Sequence, residues 1–199
     1  MEETWTTDFH GSAHEGTVGV LLADGSVAEP VYFDTGSGSE GRTTREWSAY
    51  DGTAFLGPRA AAFRAVCSCG WAGPEHALDW ESFGGAPLWQ AGREDADSCL
   101  DDWDAHTMDV ERRTVPVPEE ITDMLGRLKG AIERLADESP AAAVKAARQM
   151  EIAAGYAAYG AAHDARARMS PEEMATALGI DAAAARSLLA RYGGWSPYR

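Results

Sequence analysis

A break in residue usage near position 114 constrains this chain more than any other feature. All three cysteines and six of the seven tryptophans precede it, and 22 alanines fall between 131 and 190 beyond it. Large rings and thiols suit a small, tightly filled interior or a metal corner, whereas alanine suits closely packed helices. The expected fold class is therefore α+β. A small β-rich N-terminal module with a candidate zinc corner (1–113) is followed by a seam at 114–120 and an all-α module (121–199). The seam, TVPVPEE, holds two prolines in extended context and then a helix start.

Charge divides at the same place. Residues 1–120 carry 23 acids and 7 bases, and residues 121–199 carry 9 acids and 10 bases. The overall charge of −15 argues against nonspecific affinity for polyanions, but the second module is close to neutral. No apolar run reaches membrane-spanning length, and MEETWTTDFH has neither the basic nor the apolar region of a secretory signal. Three cysteines are too few for a disulfide framework. The expected compartment is the cytoplasm.

In the first module, TVGVLL (17–22), the turn ADGS and VAEPVYF (27–33) predict a hairpin whose second strand is an edge or is interrupted at Pro30. TGSGSEG (35–41) predicts a loop, and AAFRAVC (61–67) predicts a strand leading into CSCGWAG. Residues 94–111 lack Gly and Pro and place Cys99, Trp103 and His106 on one face, predicting a helix. Trp71, Trp80, Trp89 and Trp103 surround the cysteine turn in sequence and are expected in the core.

The cysteine turn, Cys67-Ser68-Cys69-Gly70, is a shortened form of the turn that supplies one corner of a structural zinc site, where glycine lets backbone amides point at the sulfurs. Zinc needs two more ligands, and the candidates are Cys99, His106, His76, His10 and His14. Cys99 and His106 are seven apart on one helix, so their backbones lie about 10 Å apart, too far for one ion. His106 is the better choice, near the helix end. His76 or His10 is expected as the fourth ligand, with Asp102 a weaker option. The competing reading is a tight turn with two buried thiols and a hydrogen-bonded histidine. A redox pair is disfavoured because a CxC disulfide is cramped, and no base-bearing zinc motif suggests catalysis.

The second module reads as helical throughout. Ile121, Met124, Leu125, Leu128, Ile132 and Leu135 form one stripe, and Ser139-Pro140 opens a helix running to about Arg168. Ala143, Ala147, Met150, Ala154, Ala157 and Ala161 form a small-residue face, suited to intrachain packing or a dimer seam. Residues 171–192 fit a helix-turn-helix: Ser170 with Glu173 makes a capping box, Ala175 is small where helices cross, Gly179 turns, and Asp181 caps the second helix. Asp181, Ala182, Ala183, Arg186 and Ser187 would face DNA, and Arg191 would reach the backbone. Asp181 has the wrong sign for phosphate.

The runs AFRAVCSCGWAGPEHALDW, DDWDAHT, PVPEE and MATALGIDAAAARSLL resemble an uncharacterised family from high-GC actinobacteria, over most of residues 45–192. The resemblance implies a CxCGW…WxxH module, matched at Cys67, Cys69 and His106, joined to a helix-turn-helix-like end. It carries no activity. The expectation is a DNA-binding, transcription-regulator-like protein rather than an enzyme. Its acidic module would sense a signal or recruit a partner, zinc would be structural, and a homodimer is compatible. The rivals are a protein–protein adaptor that never touches DNA, whose acidic half could mimic a polyanion, and, behind it, a metalloenzyme.

Overall fold

The computed structural model describes residues 3–33, 42–53 and 57–194. The chain forms two compact units, Met1–Glu111 and Arg112–Arg199. The first is a small antiparallel β module and the second is all-helical, an α+β protein overall. Among the described residues, no helix is long and apolar enough to cross a membrane.

In the first unit, β1 (Gly16–Leu21) pairs antiparallel with β4 (Ala62–Cys67), with Gly16 opposite Cys67 and Leu21 opposite Ala62. A short β5 (His76–Ala77) extends the sheet on the far side of β4. The second sheet is a small antiparallel pair, β2 (Val31–Phe33) with β3 (Arg42–Thr44). Alternation along β1 and β4 sends Val18, Val20, Phe63, Ala65 and Cys67 inward. Helix α1 (Leu88–Ala91) buries Leu88, and α2 (Arg93–Arg113) buries Ala96, Cys99, Trp103 and Thr107 along one stripe. Except for Thr107, these side chains join Trp47 and Tyr50 in one core.

The hairpin expected between 17–22 and 27–33 forms only in part: the chain turns back at ADGS, with Leu22 N to Ser26 O and Ala28 N to Val20 O at 2.9 Å each around an antiparallel Leu21–Val27 bridge, but the full ladder of β1 is with β4. Pro30 lacks the N–H a ladder needs, so the strand begins after it, at Val31. The loop expected at 35–41 lies outside the described residues. Trp103 is buried and Trp71 and Trp80 are half-buried, but Trp89 is exposed, on a helix too short to hide both faces.

In the second unit, α3 (Glu119–Glu138) begins inside the expected seam and packs on α4 (Pro140–Arg168). Helices α4 and α5 (Pro171–Leu178) both pack on α6 (Ala182–Gly193). The Ser170–Glu173 capping box is complete, with Glu173 N to Ser170 Oγ at 3.1 Å and Ser170 N to Glu173 Oε2 at 2.7 Å. Asp181 accepts from the Ala184 amide at 2.7 Å.

Candidate metal centre and helix-turn-helix

The strand register brings the first ligands together. Because Gly16 faces Cys67, the short 3-10 turn Gly11–His14 ahead of β1 lies beside the turn that follows β4. Ser68 fastens the two segments: its amide donates to Glu15 O at 2.8 Å, and its hydroxyl donates to Ser12 O and accepts from the Glu15 amide, each at 2.9 Å. The cysteine turn closes through Gly70 N to Cys67 O at 2.9 Å, and Gly70 takes φ 91°, a left-handed value that glycine adopts without strain. Helix α2 then presents His106, one turn beyond the buried Trp103.

The result is a group of four side chains, His14, Cys67, Cys69 and His106, whose ligand atoms all lie within 4.8 Å of one another. Three of the separations are short: His14 Nδ1 to His106 Nε2 is 3.3 Å, Cys69 Sγ to His106 Nε2 is 3.4 Å, and Cys67 Sγ to His14 Nδ1 is 3.6 Å. Tetrahedral bonds of about 2.0–2.3 Å place neighbouring ligands about 3.3–3.8 Å apart. The cluster can hold a metal ion such as zinc, in a His2Cys2 set.

The surroundings fit a bound cation. Burial pushes the Cys67 thiol up, while the Cys69 amide and the Trp103 indole favour its thiolate. The Trp103 Nε1 atom is buried with no hydrogen-bond partner. A metal-bound thiolate gives that N–H a charged partner. Burial, then the neighbouring His10 and His106, hold His14 below the usual histidine range, which keeps the ring neutral as a ligand must be. Trp71 stacks flat on His106, with centroids 4.3 Å apart and planes 5° from parallel, and fixes the imidazole's orientation.

The fourth member of the cluster is His14, not His76. His76 on β5 is bonded to Asp102, Nε2 to Oδ2 at 2.7 Å, so both of those alternatives satisfy each other. His10 is buried behind the cluster, with its ring 5.3 Å from that of His14 and its Nε2 3.7 Å from Glu111. Cys99 is fully buried in the core, where burial first and then Asp102 and Asp95 push its thiol up to about 12. His14 was within reach of sequence reasoning, but the signal favouring it, the β1–β4 register, joins strands forty residues apart.

In the second unit, α5 and α6 are joined by a short turn at residues 179–181. Ala175 is buried between helices, Gly179 takes φ 64° and ψ 33°, and the Ile180 amide returns to Ala175 O at 3.1 Å. On α6, Ala185 and Leu189 are buried, while Ala183, Arg186 and Ser187 are exposed and Ala182 is half-buried. Arg186 lies 4.0 Å from Glu172, and Arg191 lies 3.1 Å from Glu151.

The fold and cluster thus define a two-unit α+β protein whose β unit carries a His2Cys2 group that could hold a metal ion. No family model, curated protein or solved structure matches the chain.

Proposed function

We propose that the protein is a DNA-binding regulator whose acidic β unit is held together by a structural zinc ion. The observation that carries the DNA reading is the outward flank of α6. Ala185 and Leu189 anchor the helix inward, which leaves Ala183, Arg186 and Ser187 on an exposed edge. In a helix-turn-helix that edge enters the major groove, where arginine reads guanine, serine reads either partner, and alanine meets a thymine methyl. The zinc would be structural, because four protein ligands leave no open position for substrate. The acidic unit would sense a signal or recruit a partner.

The test is selection of bound duplexes from a randomised DNA pool, followed by retardation assays at several salt concentrations. The reading expects affinity that falls steeply with salt, and about 1–3 kcal/mol lost on Arg186→Ala. Absence of any enriched sequence, or binding indifferent to Arg186→Ala, rejects it.

One observation supports an adaptor instead. Arg186 and Arg191 both sit against glutamates of their own unit, Glu172 and Glu151, which lowers the field offered to phosphate. An adaptor would use the same flank on a protein, and Arg186→Ala would then leave DNA retardation unaltered while reducing protein capture.

A further inference from the structure

We propose that the β unit binds a small aliphatic monocarboxylate in a cavity over β1, where Arg64 and Arg45 hold the carboxylate. The cavity measures about 350 Å³, and none of the four cluster residues lines it. The site is thus separate from the metal group, and it stands whether or not α6 meets DNA. Ligand pockets usually run from about 300 to 1,000 Å³.

Strand pairing builds the walls. β1 runs through the middle, with Val27–Glu29 along one edge and Arg64 and Val66 of β4 along the other. The chain itself fixes the first of these walls. The Ala28 amide donates to Val20 O, and the Tyr50 hydroxyl donates to Glu29 O, each at 2.9 Å. A wall already in place needs little ordering when a ligand arrives.

The lining sets the shape and size of the tail. Val66 on one edge, Val27 and Ala28 on the other, and Leu21 on the strand between them are all aliphatic. A saturated chain buries against such surface with no polar group left unpaired. A cavity of about 150 Å³ holds the six carbons of benzene, so at that density about fourteen non-hydrogen atoms fill this one. An eight-carbon acid fits with room to spare.

Charge selects the head group. Residues 1–120 hold 23 acids and 7 bases, yet this lining holds two arginines against one acid, Glu29. Arg64 is half-buried and poorly partnered. Its Nε is buried with no hydrogen-bond partner, and its Nη1 meets only Glu75, at 3.9 Å, a carboxylate that is 63% exposed. An exposed pair at that distance contributes little. A carboxylate in the cavity supplies the charged acceptor that Arg64 lacks, and the Nε–Nη2 edge of a guanidinium takes a carboxylate two-pronged. Arg45, exposed and lining the same cavity, adds a second positive charge. Inorganic phosphate would suit the arginines but leave the valines wet, and a neutral lipid would leave Arg64 as it is.

The test is titration of octanoate into the isotope-labelled full chain, followed by heteronuclear NMR. Saturable shifts are expected at the amides of Thr17, Gly19, Ala28 and Val66, with a dissociation constant of about 0.1–5 mM for a ligand of this size. Octylamine, with the same tail and the opposite charge, and butyrate, with the same head and a short tail, should each bind about tenfold more weakly or worse. Arg64→Gln and Arg45→Glu should each weaken octanoate by about tenfold or more. Arg45 is exposed, so its substitution keeps the fold and isolates the effect on binding. The absence of saturable shifts up to about 20 mM, shifts centred on Trp80 and Phe83 instead, octylamine binding as tightly as octanoate, or an affinity unaltered by either substitution would each overturn the proposal.

Discussion

Gly16 lies beneath the indole of Trp103, so close that a β-carbon at position 16 would overlap the ring. Gly16 is also the strand partner of Cys67, the buried ligand. The missing side chain therefore leaves the space that the Trp103 ring occupies. Gly16→Ala must displace a buried tryptophan, and we expect about 1–3 kcal/mol of overpacking cost. Because the indole also supports the thiolate, zinc affinity should fall in the same variant. Isothermal titration with zinc after chelation, beside thermal unfolding, checks both; unaltered affinity would show that the indole only packs.

The ligand set predicts a sharp contrast between two histidines. His14→Ala removes a cluster member and should reduce bound zinc in tag-free protein, as should Cys67→Ser. His76→Ala should leave the zinc in place. Elemental analysis distinguishes them. Since metal binding contributes directly to folding free energy, chelation of the wild-type protein and the His14→Ala change should lower the unfolding temperature of the first unit to a similar level. His76→Ala breaks its bond to Asp102 and should cost about 0.5–1.5 kcal/mol without touching the metal.

What could be read from sequence was local. The capping box at Ser170, the turn at Gly179 and the α2 stripe of Cys99 and Trp103 each follow from residues a few positions apart, whose physics is set by helix geometry. The cysteine turn was legible for the same reason. The fourth ligand was not, because it depends on pairing β1 with β4 across an intervening forty residues. A full hairpin to 27–33 looked favourable by turn chemistry, but its pairing stops at Ala28, ahead of Pro30, which has no N–H to donate. His76, nearer to the cysteines in sequence, was drawn off by Asp102, one turn before His106 on α2.

Two titrations should leave opposite marks on stability. In metal-free protein, His14 titrates below its ordinary 6.5, because burial and then His10 and His106 disfavour the cation. The unfolded chain takes the proton first. The stability His14 contributes is therefore present above about pH 6.5 and is lost as pH falls through the folded value. Cys99 is raised from 9.0 to about 12, so its contribution is complete below pH 9 and is lost as pH rises toward 12. Unfolding temperatures of chelated protein across pH should fall on both flanks, and Cys99→Ala should flatten only the alkaline one.

Thiol chemistry offers an independent check of the same geometry. Cys69 is exposed, Cys67 is buried at the cluster and Cys99 is fully buried in the core. An aromatic disulfide reagent at pH 8 should find little reactive thiol in zinc-loaded protein, where both turn cysteines are held as ligands. After chelation, Cys69 should react fast and Cys67 more slowly. Cys99, inaccessible and almost wholly protonated at that pH, should react only on unfolding, because the thiolate is the attacking form. Mass mapping assigns each step. Rapid labelling of Cys99 in the folded, chelated chain would mean that the core opens without its metal, and that the cluster holds the whole first unit rather than its corner alone.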